Sequence, residues 1–257
     1  MAELGVSDFE SEVACARRQL EMVQRLEKQG YDRTLWSELS DCDSEYCTRS
    51  RCIEGCHYGT RHRRLEQIRT GYQLLEQHPD PLWQVSIVHP LWERPVGSLA
   101  EITVPAAREW NYRRLQTLDD HNIVAVGSFE VSINRELNGE LYWAGEIQQI
   151  VAGAAKNDLR NAFQIEKHHR SRGSNQKLLK IIGVEHLGLQ LAYCVKRFVE
   201  ERRAYVSAKT GRQARRHLPP QSKDWAEHDA WLLGLPLGAR TIAYGCTRRG
   251  LKFHARE

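Results

Sequence analysis

The sequence predicts an α+β fold, a mainly antiparallel sheet with helices packed on it. Two observations carry that expectation. Candidate strands and helices follow one another as strand, helix, hairpin, helix, strand, helix, which is the order of a sheet layered with helices rather than of a bundle or an all-β sandwich. At the centre, Asn138-Gly139 separates two segments rich in β-branched and aromatic residues, and that dipeptide is the strongest short hairpin signal.

Each element has a local reason. From Asp8 to about Gly30, Val13, Leu20, Val23 and Leu26 recur at helical spacing among charges, and Gly30 closes the run. A basic helix is expected from His62 to about Glu76, ending before His78-Pro79-Asp80-Pro81, the best internal boundary. The segment 82–89 reads as a strand and about 105–118 as a helix. The hairpin strands are 122–134 and 141–153. A helix follows at about 156–166, then a strand at about 178–184 and a helix from His186 to about Glu201. Beyond Tyr205 the chain reads as basic loop until a helix at 222–233. The expected organisation is an N-terminal segment (1–78), a core (79–204) and a basic C-terminal extension (205–257).

The 257 residues are enough to bury a full core. No apolar run is long enough to span a membrane, and the N-terminus lacks a basic stretch followed by an apolar one, so a reducing cytoplasm is expected. Phosphate-loop, dinucleotide and nucleophile-elbow motifs are absent, which argues against nucleotide-driven chemistry. The formal net charge is +4, unevenly distributed: residues 1–45 are acidic on balance, whereas 167–180 and 196–216 are crowded with Lys and Arg. Such stretches suit a polyanion-binding face, though ordinary solvated surface has the same look.

Cys42, Cys47, Cys52 and Cys56 fall inside fifteen residues, followed at once by His57. The segments between them are too polar to fold on their own, so a structural Zn2+ bound by four thiolates would supply the folding energy. His57 and His62 are reserve ligands. Disulfides and free thiols are the competing readings.

Three short motifs, in order, resemble the core of a rolling-circle replication initiator of the HUH endonuclease superfamily. Glu130-Val131-Ser132, in a strand after Gly127, resembles the family's Glu-Val-Thr strand, whose Glu is a metal ligand. The return strand ending Ile147-Gln148-Gln149-Ile150-Val151-Ala152-Gly153 resembles the strand that carries the His-hydrophobe-His motif. Leu191-Ala192-Tyr193-Cys194-Val195-Lys196 resembles the Tyr-x-x-Lys motif, whose Tyr attacks DNA. A Cys-rich segment near the N-terminus also occurs in such initiators. The resemblance spans about residues 40–200.

The chain departs from that pattern at one point. Where the family has two histidines it reads Glu146-Ile147-Gln148. Strand alternation keeps residues 146 and 148 on one face, where across the hairpin they can meet Glu130. Glu130, Glu146 and Gln148 are hard oxygen donors suited to Mg2+ or Mn2+, or they are a relic without metal.

By resemblance, Tyr193 is the nucleophile that leaves a 5′-phosphotyrosyl bond, with Lys196 as its electrostatic helper; otherwise Tyr193 is a core aromatic of an amphipathic helix. Phosphate contacts are expected from Arg170, Arg172, Lys177, Lys209, Arg212, Arg215 and Arg216. The tryptophans, which in principle can stack bases, read mostly as core. Three functions are expected to compete: a DNA-nicking initiator, a DNA-binding regulator on a decayed scaffold, and a zinc-stabilised interaction module.

Overall fold

The central strands are buried on both faces, so their alternation sorts side chains between an apolar core and a polar row. The computed structural model describes residues 4, 6, 10–40, 42, 52–118, 122–164, 178–197, 199–250 and 252–255. In chain order the elements are α1 (Glu12–Lys28), α2 (Ser37–Ser40), α3 (His57–Glu76), β1 (Trp83–Pro95), α4 (Val104–Gln116), β2 (Val124–Arg135), β3 (Leu141–Ala152) and α5 (Lys156–Ala162). They continue with β4 (Leu179–Gly183), α6 (Leu187–Cys194), β5 (Glu201–Val206), β6 (Gln213–Leu218), α7 (Ser222–Leu233), β7 (Thr241–Tyr244), β8 (Cys246–Arg249) and β9 (Lys252–Ala255).

The fold is α+β around a mixed sheet in the order β4-β1-β3-β2-β5-β6, with β7 also pairing with β2. The pairing of β2 with β5 is parallel; the other pairings of this sheet are antiparallel. The free side of β2 is shared, its beginning taken by β7 and its end by β5.

The Asn138-Gly139 turn forms as expected, with Gly139 at φ +85° in the left-handed region that glycine tolerates. The register it sets pairs Phe129 with Ile147 and Glu130 with Glu146. Ala125, Phe129, Ile133, Trp143, Ile147 and Val151 thereby face one core, packed with residues of α4 and α7. The buried amides of Gln149 and Asn111 on this side satisfy each other reciprocally at 3.0 and 2.9 Å. The opposite face opens on Val124, Val126, Ile150 and Ala152, covered by α3, α6 and Phe253 of β9. Trp92, Trp143 and Trp231 are buried, and Trp83, Trp110 and Trp225 pack against the same core, so these six read as core.

β1 carries an irregularity between Val88 and Glu93 opposite Gly145. A side chain at Gly145 would meet the Phe129 ring at 2.5 Å and Trp92 Cβ at 2.7 Å, so a glycine precedes Glu146 for reasons of space.

Two expectations are corrected. The helix from His186 stops at Cys194 rather than near Glu201, and the stretch beyond it is not loop but the β5–β6 hairpin. Glu200 O accepts from Ile133 N at 3.0 Å, which starts a parallel pairing with β2 that a continued helix would forfeit. The C-terminal extension also supplies β7 to the central sheet, while α1 packs on α7 and α3 on β9. Among the described residues, no helix is long and apolar enough to cross a membrane.

A buried ionic cluster ties these segments together. Glu54, fully buried, accepts from Arg63 Nη2 at 3.1 Å, from Arg240 Nε and Nη2 at 3.1 and 3.0 Å, and from Gly238 N at 2.8 Å. Burial alone would raise its pKa, but Arg63, Arg240 and the Gly238 amide together hold it below the usual carboxylate value. Arg63 extends the network to Gln67 and Thr241. Because Glu54→Gln leaves two buried guanidiniums without a counter-charge, it is expected to lower unfolding free energy by about 3–5 kcal/mol in urea titrations. A loss below about 1 kcal/mol would show that the cluster adds little, as for exposed pairs.

Candidate functional site

The polar row begins where the apolar residues of the second face end. Register places Ser86 of β1 beside Gln148 of β3, with Ser128 of β2 on its other side; in the next row Val88, Glu146 and Glu130 follow one another. Lys180 of β4 continues the first row beside Ser86. Helix α6 lies over this face and ends at it. Ser128 Oγ donates to Cys194 O at 2.6 Å, and Gln190 Nε2 donates to Gln84 Oε1 at 2.9 Å. Leu191, Cys194 and Val195 are buried beneath the helix, whereas Tyr193 stays 44% exposed.

A cleft of about 700 Å3 opens between α6, the sheet and the β5–β6 hairpin. Tyr193, Glu146, Gln148 and Lys180 line it, joined by Arg202, Arg215 and His217 from the hairpin. Glu130 lies just off the cleft, the cross-strand partner of Glu146. The alternation argument for residues 130, 146 and 148 therefore holds, and Tyr193 shares their side of the sheet.

The carboxylates are already matched to cations. Arg202 Nη2 donates to Glu146 Oε2 at 2.5 Å, and Gln148 Nε2 donates to Glu146 Oε1. Ser86 Oγ in turn donates to Gln148 Oε1 at 2.6 Å. Lys196 Nζ lies 3.7 Å from Glu130 Oε2 and 4.3 Å from the centroid of the Tyr193 ring. Lys196 is outside the helix, so it reaches Tyr193 through a turn rather than by helical i,i+3 spacing. The oxygen chemistry of Glu130, Glu146 and Gln148 suits a hard divalent ion. As they stand, Glu146 is held by Arg202 and Glu130 lies against Lys196, so an ion there would have to displace both contacts.

Burial pushes the Glu130 carboxyl up to about 8; Lys196 pulls it back and Glu146 pushes it further. An acid whose folded pKa exceeds its unfolded value of 4.5 stabilises the fold fully below that value, and the stabilisation is lost as pH rises through about 8. Unfolding free energy should therefore decline between pH 5 and 8, and Glu130→Gln should flatten that decline in urea titrations. An equal slope in the variant would show that Glu130 is not the titrating group.

The cationic residues distribute unevenly. Arg215 donates to Asn134 Oδ1 at 3.0 Å and to Glu136 Oε1 at 2.5 Å, so its charge is partly spent inside the protein. Lys209, Arg212 and Arg216 are exposed on the β5–β6 hairpin. Arg170, Arg172 and Lys177 lie outside the described residues. Sequence reasoning missed Arg202 and His217, because their stretch was read as helix end and loop. No two-residue alternation marks β5, so the local pattern held no signal for that strand.

Of the cysteines, Cys47 lies outside the described residues. Cys42 Sγ and Cys56 Sγ are 3.6 Å apart, too far for a disulfide and close to the roughly 3.8 Å that two thiolates span on a tetrahedral zinc. Cys56 caps α3, accepting from Gly59 N at 3.3 Å, while Cys52 Sγ contacts Ile53 O at 3.8 Å. His62 is exposed, and both ring nitrogens of His57 are buried without a hydrogen-bond partner. Among the described residues, no group of three or more His, Cys, Asp or Glu side chains converges as a metal site. Comparison with protein-family models, with curated proteins and with solved structures found no match.

Proposed function

We propose that this chain binds single-stranded or origin DNA in the Tyr193 cleft and nicks one strand with Tyr193 as nucleophile. The observation that carries the reading is the exposure of Tyr193 on the same cleft as Glu146, Gln148, Lys180, Arg202 and Arg215. Lys180 brings a cation to the floor, and exposed Lys209 and Arg212 at the turn of the hairpin add positive charge near it, as a phosphate backbone requires.

Lys196 sits over the Tyr193 ring, where its charge stabilises the phenolate that attack requires. Tyr193 Oη forms a bond to phosphorus as the phosphorus–3′-oxygen bond breaks. The phenol proton passes to solvent, and the departing 3′-oxygen takes one up. The product is a 5′-phosphotyrosyl link, which conserves the energy needed to rejoin the strand. Lys180, which forms no ion pair among the described residues, is the lining cation left to balance charge developing on the phosphate, whereas Arg202 and Arg215 would first have to leave Glu146 and Glu136.

A second reading rests on a specific observation. Arg202 pairs with Glu146 and Lys196 lies against Glu130, two of the residues that the resemblance assigns to a metal, which favours a DNA-binding regulator on a decayed scaffold. Incubation with supercoiled plasmid carrying its own origin, with and without Mn2+, separates the two. The first reading expects nicked circles with protein on the 5′ end, and no adduct from Tyr193→Phe although that variant still binds DNA. Binding without nicking under every condition selects the second reading.

Cys42, Cys47, Cys52 and Cys56 are proposed to hold one structural Zn2+, supported by the Cys42–Cys56 spacing and by the cap Cys56 makes on α3. Metal analysis of purified protein is expected to give about one zinc per chain, falling in Cys47→Ser. A zinc-free chain whose fold is unchanged by chelator contradicts it.

A further inference from the structure

Strand nicking by Tyr193 leaves one chemical need unmet. The 3′-oxygen is a poor leaving group as an alkoxide, so an acid must protonate it as its bond to phosphorus breaks. Lys196 lies over the Tyr193 ring and serves the nucleophile instead. In-line displacement puts the departing oxygen on the far side of phosphorus from the attacking one. The acid must therefore come from a wall of the cleft other than α6. The β5–β6 hairpin is such a wall, and from β6 it carries His217 into the lining.

The His217 side chain is 59% exposed, within reach of a substrate, and its Nδ1 lies 2.6 Å from Glu200 Oε2. Burial raises the Glu200 carboxyl, but the His217 bond, Lys196 and Arg202 outweigh it and hold that pKa below the usual carboxylate value. Glu200 is therefore an anion. An anionic acceptor fixes Nδ1 as the donor, orients the ring and favours the imidazolium, which leaves Nε2–H as the proton to give. Strand pairing sets Arg202 directly across from His217. Tyr193 and Glu200 are both close enough to Arg202 to raise its pKa, so the phenol and the imidazole–carboxylate pair meet around one guanidinium. The other lining cations of the hairpin, Arg202 and Arg215, are paired with Glu146 and Glu136, which offsets their repulsion of a charged His217.

Resting on the nicking reading, we propose that His217 is the general acid of this site, with Glu200 as its positioning residue. As the bond from Tyr193 Oη to phosphorus forms and the phosphorus–3′-oxygen bond breaks, Nε2–H passes its proton to the 3′-oxygen. The neutral ring regains a proton from solvent, or in rejoining takes it back from the 3′-hydroxyl as that oxygen attacks the phosphotyrosyl link. The test compares two oligonucleotides carrying the chain's own origin, one unmodified and one with sulfur replacing the bridging 3′-oxygen at the nick. A thiolate leaves without a proton. The full chain should nick both, and His217→Asn should lose about a hundredfold on the unmodified strand while nicking the sulfur strand like wild type. Glu200→Gln should show a smaller loss with the same rescue, which a merely structural role would not produce. Wild-type nicking of the unmodified strand by His217→Asn, or an equal loss on both strands, overturns the proposal and leaves Tyr193 as nucleophile. A wild-type chain that nicks neither strand removes the nicking reading and this proposal with it.

Discussion

The two-residue period of β2 and β3 is the constraint on which the rest of this structure depends. Both strands are covered on both faces, so each side chain must satisfy one of two environments. Odd-numbered positions such as Phe129, Trp143 and Ile147 fill the apolar core. Even-numbered positions carry Ser128, Glu130, Glu146 and Gln148 into a buried polar row. A one-residue slip would send the carboxylates into the core and the aromatics into the cleft. The Asn138-Gly139 turn and the crowding at Gly145 hold the register against that slip.

Burying acidic groups at the centre of a sheet sets the second requirement, compensation. Arg202 reaches Glu146 and Lys196 reaches Glu130, each from a segment that follows α6. Thus the β5–β6 hairpin both extends the sheet and brings cations back over it. The same logic recurs at Glu54, on which Arg63 and Arg240 converge.

The elements most legible in the sequence were those with strong local chemistry. The hairpin declared itself through Asn138-Gly139 and its β-branched flanks, and the shared face of residues 130, 146 and 148 followed from alternation alone. The ends of α6 and the β5–β6 hairpin were not legible. Leu187 to Cys194 is apolar enough to suggest a longer helix, and the arginine-rich run after Glu200 has the composition of a loop. Its strand character comes from pairing with β2, a partner more than sixty residues away that local pattern does not reveal. For the same reason the ion pairs on Glu130 and Glu146 were invisible: Arg202 becomes a partner of Glu146 only once the chain has crossed the sheet.

The proposed function requires nucleic acid to enter the cleft between α6 and the β5–β6 hairpin. Backbone and side-chain NMR of the full chain, titrated with a short single-stranded oligonucleotide, addresses this most directly. Shift changes should concentrate on Tyr193, Gln148, Lys180, Arg202 and His217. Changes confined to surfaces away from these residues, or none at all at saturating oligonucleotide, would contradict it.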